Sequence, residues 1–291
     1  MNKIGFIGLG NMGGEIAKAI AAKAYSLVVF DVCKDVVSGF RDIAEVADNA
    51  LDVCRKSDVV FLSLPSSRIV EPIVESFLAD GVQDKIIADL STSDPDSTKK
   101  LFQKVLLAGG HLADCPISGM PNQASQGKLM SMFGGESGIH DQLAPLVQCF
   151  ADRFPNMGSI GNGHLTKLIF NYIALSYVNI YAMTFSLSGQ EGLDNQQLFE
   201  LLKTTAMNCG TMNFYVPKMI DKTYDMAFSL ELAHKDLSCV KGLFEKYQVP
   251  AYALDGTLEL LRTSIRDGHG KEDYSTCIDT MYSFFEHKER I

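Results

Sequence analysis

The sequence predicts an α/β domain, built on a doubly wound parallel sheet, followed by an all-α domain. Three observations support this prediction. The first half alternates short apolar runs with helical patterns, the chain from about residue 162 shows helical patterns alone, and the turn-rich stretch NMGSIGNG lies between them. Continuous apolar strands that alternate with helices are typical of a parallel sheet covered on both faces. We therefore predict domains at residues 1–161 and 162–291.

The predicted strands of the first domain are short apolar runs, each bounded by Gly, Pro, Ser or Asp. In chain order they are IGFIGL, SLVVFD, DVVFLSLP, KIIADLS, HLADCPIS and LMSMFGG. The segment MGGEIAKAIAAKA, between the first two, has the spacing of a helix.

The second domain begins with the longest helical pattern, HLTKLIFNYIALSYVNIYAMTFSLSGQEG. The patterns that follow are NQQLFELLKTTA, LELAHKDLSCVKGLFEKY, AYALDGTLELLRTSIRDG and DYSTCIDTMYSFFEHKER. Residues 168–190 carry no charge and are nearly long enough to span a bilayer, but several polar side chains interrupt them. We therefore expect a buried helix of a soluble protein and no membrane partner.

The composition is that of an ordinary globular protein, with 46% hydrophobic residues and a net charge of −9. That charge argues against a nucleic-acid partner, because nucleic acids attract clustered Lys and Arg. The seven cysteines are scattered and form no CxxC pair. Scattered cysteines favour a reducing compartment. No leader pattern precedes KIGFIGLG, so we expect a cytoplasmic location. The six histidines lack metal-ligand spacing, so no metal site is predicted. His164 and His234 are near the proposed site in sequence and are interpreted as helix-surface side chains, with a contact to the site as the alternative.

The stretch GLGNMG places glycines at positions 8, 10 and 13 between a strand and a helix. In this G-x-G-x-x-G pattern Gly8 allows a tight turn, Gly10 lets the backbone approach a pyrophosphate, and Gly13 permits close packing of helix and strand. The pattern predicts a Rossmann-type dinucleotide site, with Asn11 and Met12 among its contacts. The alternative is a glycine-rich turn without a ligand.

The cofactor preference depends on the acid that ends the second strand, Asp31 in SLVVFD. A carboxylate there accepts hydrogen bonds from the adenosine ribose and repels a 2′-phosphate, which favours NAD over NADP. Two alternatives stay open. Asp31 could simply end the strand, and Lys34 could offset the repulsion, so NADP remains possible.

Lys167 and Asn171 introduce an amine and an amide into the apolar segment, four residues apart and hence on one helix face. Burial in an apolar wall and a nearby nicotinamide cation would both favour the neutral amine, which can carry a proton to or from a reacting oxygen. The alternative is a lysine whose amine reaches solvent from the start of a helix, beside an incidental asparagine.

Four stretches together resemble the β-hydroxyacid dehydrogenase family, which includes 3-hydroxyisobutyrate dehydrogenase and tartronate semialdehyde reductase. They are GFIGLGNMGGEIAKAI, DCPISGMPNQASQGKLMSMFGG, GHLTKLIFN and FSLELAHKDL, and the resemblance covers essentially the whole chain. The resemblance implies that Lys167 is the catalytic lysine and that Asn171 holds the substrate beside it. It implies that Ser118 and Gly119 bind the substrate carboxylate, and that Lys235, followed by its companion Asp236, reaches the site from a later helix.

The resemblance also implies cofactor contacts at Leu64, Pro65 and Thr92. It departs from the family at Met120, where the family has glycine. A glycine there would permit a positive φ and a close approach to the substrate, so Met120 leaves the carboxylate-binding geometry open.

These features predict an oxidoreductase that transfers a hydride between NAD and a small β-hydroxyacid, similar to 3-hydroxyisobutyrate, or its semialdehyde. Within the class, the alternative is an NADPH-preferring semialdehyde or glyoxylate reductase. A non-catalytic NAD-binding module is the alternative from another class. The partner is a small substrate that bears a carboxylate. The apolar surface of the long helix predicts a homodimer or homotetramer.

Overall fold

The computed structural model describes residues 3–288 of the chain. These residues form two compact units, and the division falls between Lys167 and Leu168. It lies within the helix that follows the predicted boundary at residues 161 and 162.

A six-stranded sheet forms the centre of the first unit, and all five strand pairs are parallel. The strands are β1 (Ile4–Ile7), β2 (Leu27–Phe30), β3 (Glu45–Val46), β4 (Val59–Leu62), β5 (Ile86–Asp89) and β6 (His111–Asp114). Their order is β3-β2-β1-β4-β5-β6, in which the direction of winding reverses next to β1. This order is that of a dinucleotide-binding sheet, whose ligand lies beyond the carboxyl ends of the strands at the reversal.

Helices cover both faces of this sheet. They are α1 (Asn11–Ala21), α2 (Lys34–Ser38), α3 (Ala50–Lys56), α4 (Ser67–Asp80), α5 (Pro95–Leu107), α6 (Pro121–Ala124) and α7 (Ser137–Val147). Alternate side chains of one strand enter two different cores, because successive residues of a strand point to opposite faces. Phe6 belongs to one core cluster and Ile7 to the other.

A second, three-stranded sheet follows in the chain, with strands β7 (Ile117–Ser118), β8 (Leu129–Ser131) and β9 (Ala151–Arg153). The sequence predicted HLADCPIS as one strand, but the structure divides it into β6 and β7 around Pro116. A proline has no N–H to donate to a ladder, and the chain leaves the parallel sheet at that residue. Strand β7 then pairs antiparallel with β8.

The second unit is helical, which confirms the predicted fold class. Helix α8 (Asn162–Gln190) begins in the first unit. It is followed by α9 (Asn195–Lys203), α10 (Gly210–Asp221), α11 (Leu230–Lys246), α12 (Tyr252–Ser264) and α13 (Cys277–Lys288). Polar N-caps fix two of the helix starts, since the Asp194 and Ser229 side chains accept hydrogen bonds from the first turns of α9 and α11.

Helix α8 has two apolar faces of different exposure. Leu168, Leu175 and Phe185 are buried in the core of the second unit, whereas Ile173 and Ile180 are about half exposed. The expectation of a buried helix therefore holds for one face only. By length and composition α8 could cross a membrane, but this is weak evidence, because core helices of soluble proteins pass the same test.

Candidate active site

The glycine-rich turn between β1 and α1 has the geometry of a phosphate cradle. Gly8 has a φ of +94°, and a Cβ added to it would lie 2.1 Å from the Ser63 carbonyl oxygen. A Cβ on Gly13 would lie 2.1 Å from the Gly8 carbonyl oxygen, whereas one on Gly10 would meet nothing within 4 Å. Gly10 is also the N-cap of α1 and offers no side chain to the first-turn N–H groups. Those donors and the open space beside them suit an anionic group.

Asp31 is held at the same turn by two backbone N–H groups. The Leu9 N–H donates to Asp31 Oδ2 at 2.6 Å, and the Cys33 N–H donates to Asp31 Oδ1 at 2.8 Å. Each carboxylate oxygen keeps a further lone pair. The side chain is therefore fixed at the end of β2 with acceptors that ribose hydroxyls can use.

The other predicted cofactor contacts lie on the two loops that leave β4 and β5, which are neighbouring strands. Leu64 and Pro65 follow β4, and Thr92 follows β5. The Leu64 N–H donates to Ser91 Oγ at 2.9 Å, which joins the two loops. Asn11 and Met12, in the first turn of α1, complete the predicted set at the carboxyl edge of the sheet. Of these predicted contacts, Met12, Leu64 and Thr92 are half-buried, whereas Asn11 and Pro65 are exposed.

The predicted carboxylate-binding turn begins at Ser118, the last residue of β7. Gly119 has a φ of +132°, and a Cβ there would lie 2.6 Å from a Leu129 methyl group. Met120 has a φ of −105°, an extended conformation that any residue adopts. Met120 therefore causes no backbone strain. Its N–H donates to Gln123 Oε1 at 2.7 Å, a contact that no local sequence pattern predicts.

The start of α8 is held by a buried carboxylate, Asp114. The N–H groups of Gly161 and His164 donate to its two oxygens, each at 2.7 Å. Burial raises the pKa of the Asp114 carboxyl, while nearby His164 and these N–H groups act in the opposite direction. The interpretation of His164 as a helix-surface side chain was wrong, since it is completely buried. Lys167 follows on the next turn and is half-buried.

In the second unit, Asp236 joins the other two predicted residues. Asn171 Nδ2 donates to Asp236 Oδ2 at 2.6 Å, and Lys235 Nζ lies 2.9 Å from Asp236 Oδ1. Asp236 is 1% exposed, so its charge is compensated by these groups rather than by water. The amide and the amine are thereby held on one buried carboxylate.

Two family models match the chain. Residues 3–161 match the family model of the NAD-binding domain of 6-phosphogluconate dehydrogenase. Residues 161–281 match the model described as NAD-binding of NADP-dependent 3-hydroxyisobutyrate dehydrogenase.

Individual relatives align over nearly the whole chain. The mitochondrial 3-hydroxyisobutyrate dehydrogenase of Drosophila melanogaster is 28% identical over 96% of this chain and 89% of its own. The 3-sulfolactaldehyde reductase of Escherichia coli is 26% identical over 97% of this chain and 96% of its own. The structure of Mycobacterium tuberculosis 3-hydroxyisobutyrate dehydrogenase with L-serine superposes with a TM-score of 0.88 at 23% identity, covering 97% of this chain and 99% of that one. It supports the fold alone.

The family assignment follows from the matched models, from the relatives that align over nearly the whole chain, and from the dinucleotide-binding sheet. The chain belongs to the β-hydroxyacid dehydrogenase family, the NAD(P)-dependent oxidoreductases that act on small hydroxyacids by hydride transfer.

Proposed function

We propose that the protein interconverts a short 3-hydroxyacid and its semialdehyde with NAD, and that Lys167 carries the proton. The observation that supports this most directly is the position of Lys167 and Asn171, one turn apart on α8, with the Asn171 amide fixed by the buried Asp236. The relative named for 3-hydroxyisobutyrate supports a short substrate with its reacting oxygen on C3, and the one named for 3-sulfolactaldehyde supports a short aldehyde that bears an acid group.

In the proposed mechanism a bound nicotinamide accepts or supplies the hydride, and the protein handles the proton and the orientation. Lys167 is half-buried, and a cationic nicotinamide bound nearby would favour its neutral amine, which would then remove the hydroxyl proton during oxidation. Because Asn171 Nδ2 donates to Asp236, the carboxamide oxygen of Asn171 is the group that can accept a hydrogen bond from the substrate.

The substrate carboxylate needs donors, and we propose that Ser118, Gly119 and Lys235 provide them. Ser118 offers a hydroxyl and Gly119 a backbone N–H at a turn where a side chain would collide with Leu129. The Met120 N–H is engaged by Gln123, so this turn has one backbone donor fewer than its length suggests. Lys235 adds a cation that Asp236 holds in place.

For the cofactor, we propose a preference for NAD. The fixed carboxylate of Asp31 lies where an adenosine 2′-phosphate would be repelled. The second candidate is an NADPH-preferring semialdehyde or glyoxylate reductase. Lys34 favours it, since it begins α2 three residues after Asp31 and carries a positive charge. The matched model named for an NADP-dependent enzyme favours it as well.

The test is a panel of short 3-hydroxyacids with NAD and with NADP, and of the semialdehydes with NADH and NADPH. It uses the wild type, Lys167→Ala and, as a matched control, Lys100→Ala on the exposed side of α5. We expect Lys167→Ala to lower kcat at least about 100-fold, the scale of general acid–base catalysis, and Lys100→Ala to leave it unchanged. Wild type that binds NAD but turns over no member of the panel refutes the enzymatic proposal and leaves a non-catalytic NAD-binding module. Full activity in Lys167→Ala refutes the mechanism alone.

We also propose that the protein is a homodimer or homotetramer assembled through the exposed face of α8. Four large apolar side chains at helical spacing, each between 43% and 51% exposed, form a stripe on this face: Ile173, Tyr177, Ile180 and Leu187. Such a contiguous patch is typical of an interface between subunits. Sedimentation at micromolar concentration should show an oligomer that Ile180→Glu dissociates and that Leu107→Glu, on the exposed end of α5, does not. A monomeric wild type contradicts this proposal.

The seven cysteines are all free in the structure, and we propose a cytoplasmic location, where thiols stay reduced. Fractionation of the cells that make the protein tests this. Recovery in the mitochondrial fraction, as the name of the fly relative would suggest, contradicts it.

A further inference from the structure

A buried polar cluster lies at the start of α8, inside the first unit. Its centre is the completely buried side chain of His164. His164 Nδ1 shares a hydrogen bond with Thr98 Oγ1 at 2.9 Å. His164 Nε2 lies 3.6 Å from Asp89 Oδ2, and Nδ1 lies 4.0 Å from Asp114 Oδ2. The imidazole is therefore hydrogen-bonded to α5, and it lies within 4.0 Å of the carboxylates at the carboxyl ends of β5 and β6.

Asp89 connects this cluster to the loop that carries Thr92, a proposed cofactor contact. The Ser91 N–H donates to Asp89 Oδ1 and the Ser93 hydroxyl to Asp89 Oδ2, both at 2.9 Å. Thr92 lies between those two serines. Any group that fixes the Asp89 carboxylate therefore also fixes this loop.

On the other side, the cluster is connected to the proposed proton carrier. Asp114 accepts hydrogen bonds from the backbone of Gly161 and His164, and so sets where α8 begins. Lys167 is three residues beyond His164, which puts the two side chains on adjacent turns of the same side of the helix. Because a helix turn is stiff, a displacement of His164 moves Lys167 with it.

We propose that His164 is a positioning residue for the reaction, which holds Lys167 in a fixed relation to the cofactor loop at residues 91–93 through Asp89 and Asp114. The inference rests on the proposed function of Lys167 as the proton carrier. It assigns a role to a side chain that touches neither substrate nor cofactor.

A role in packing alone does not account for this side chain. His164 Nε2 has no hydrogen-bond partner among residues 3–288, since 3.6 Å to Asp89 is too long for one. Buried polar atoms are nearly always paired, and an apolar side chain would fill the same space without an unpaired nitrogen. The imidazole is instead placed between two buried carboxylates, where its polar edges face both elements that it joins.

The effect on catalysis follows from geometry. A misplacement of about 1 Å in a reacting group costs roughly 100-fold in rate. Loss of the imidazole should therefore lower kcat about 10- to 100-fold, while the dissociation constant of NAD and the KM of the hydroxyacid change less than about threefold. The conservative variant His164→Gln, which keeps a hydrogen-bonding group, should recover at least part of the loss.

The kinetic test compares His164→Leu, His164→Gln and Thr98→Val with the wild type. Thr98→Val keeps the shape of the threonine and removes the hydroxyl that meets the imidazole, so it also serves if the His164 variants fail to fold. We expect lower kcat in His164→Leu and Thr98→Val, with partial recovery in His164→Gln. A folded His164→Leu with kcat within about twofold of wild type overturns the proposal, and so does an unchanged kcat in Thr98→Val. An equal decrease of kcat in His164→Leu and His164→Gln also overturns the proposal.

A second measurement needs no turnover and no cofactor. Amide hydrogen exchange is followed in wild type and His164→Leu, or in Thr98→Val, for residues 161–167, for the loop at 91–93 and for α4 as a control. We expect faster exchange in both of the first two segments and no change in α4. Faster exchange at 161–167 alone indicates local packing and overturns the proposed coupling. If the wild type turns over no substrate, the proposed function fails, while this measurement still decides whether His164 joins the two segments.

Discussion

Two glycines of the turn after β1 should respond to the same substitution in opposite ways. Gly13→Ala places a methyl group 2.1 Å from the Gly8 carbonyl oxygen, whereas Gly10→Ala places one in open space. The first change should therefore damage the fold. The second should leave the fold intact and damage only the binding of the cofactor.

The size of each effect follows from these contacts. Contacts of a Cβ below 3.0 Å are essentially never seen, so Gly13→Ala forces α1 and the turn apart by about 1 Å, at a cost near 3 kcal/mol. Alanine recovers up to about 1 kcal/mol as the better helix former. A net loss of about 2 kcal/mol lowers Tm by roughly 4–8 °C. Gly10 has a φ of −61°, which alanine adopts freely, so Gly10→Ala should move Tm by less than about 2 °C.

Among the molecules that fold, Gly10→Ala should weaken NAD binding more than Gly13→Ala does. The Gly10→Ala methyl group lies where the pyrophosphate would approach the first turn of α1, and each charge-assisted hydrogen bond lost costs about 1.5–3 kcal/mol. This corresponds to an increase of roughly 10- to 100-fold in the dissociation constant of NAD. The chain contains no Trp, so calorimetric titration is a better assay than intrinsic fluorescence, and circular dichroism gives Tm.

Gly138→Ala is the matched control, because this exposed glycine of α7 also has nothing within 4 Å of an added Cβ. It should leave NAD affinity unchanged and raise Tm by no more than about 4 °C, because alanine is the better helix former. Equal destabilisation by Gly10→Ala and Gly13→Ala would refute the steric argument. Unchanged NAD affinity in Gly10→Ala would show that the turn does not meet the phosphates.

Three further predictions concern single side chains. Gln123→Ala releases the Met120 N–H for the substrate carboxylate, so KM for the hydroxyacid should fall about threefold or more with kcat unchanged; a higher KM in steady-state kinetics contradicts this. Asp31→Ala should raise the dissociation constant of NAD about tenfold and reduce the preference for NAD over NADP, as measured by titration with both cofactors. An unchanged ratio of the two dissociation constants contradicts the role of the carboxylate. Burial raises the pKa of Cys54 to about 11, so at pH 8 roughly 0.1% of it is thiolate; exposed Cys33 should be alkylated first in mass spectrometry, with Cys54 following only as the pH rises towards 11.

The central sheet could be predicted because its strands have a strong local signal. Strands β1, β2 and β4 are continuous apolar runs, β5 is one up to its last residue, Asp89, and the glycine fingerprint marks the first turn. The missed strands lack this signal. Glu45–Val46 is two exposed residues, and Ala151–Arg153 has only one buried residue, so their pairing depends on neighbours that are distant in sequence.

The candidate site divides in the same way. Motifs with fixed spacing, such as the glycines and the pair of Lys167 and Asn171, are visible in sequence. Contacts across 65 residues, such as the hydrogen bond between Asn171 and Asp236, are not, because no local pattern specifies which carboxylate an amide will meet. The interpretation of His164 failed for the same reason. A histidine near the start of a helix is commonly exposed, and only the tertiary position of Asp89 and Asp114 makes this one buried.

Helix α8 explains why an apolar sequence is a poor guide to burial in this chain. Its residues are apolar on two opposite faces, so the periodicity that normally separates core from surface is weak. One face is buried with Leu168 and Phe185, while Ile180 on the other face is half exposed. If another copy of the chain covers that second face, the apolar residues of both faces are explained. One face is buried in the core of the second unit, and the other is buried between subunits. Lys167 is in that case the one Lys, Arg, Asp or Glu of α8, which is the reason to assign it to chemistry rather than to solvent.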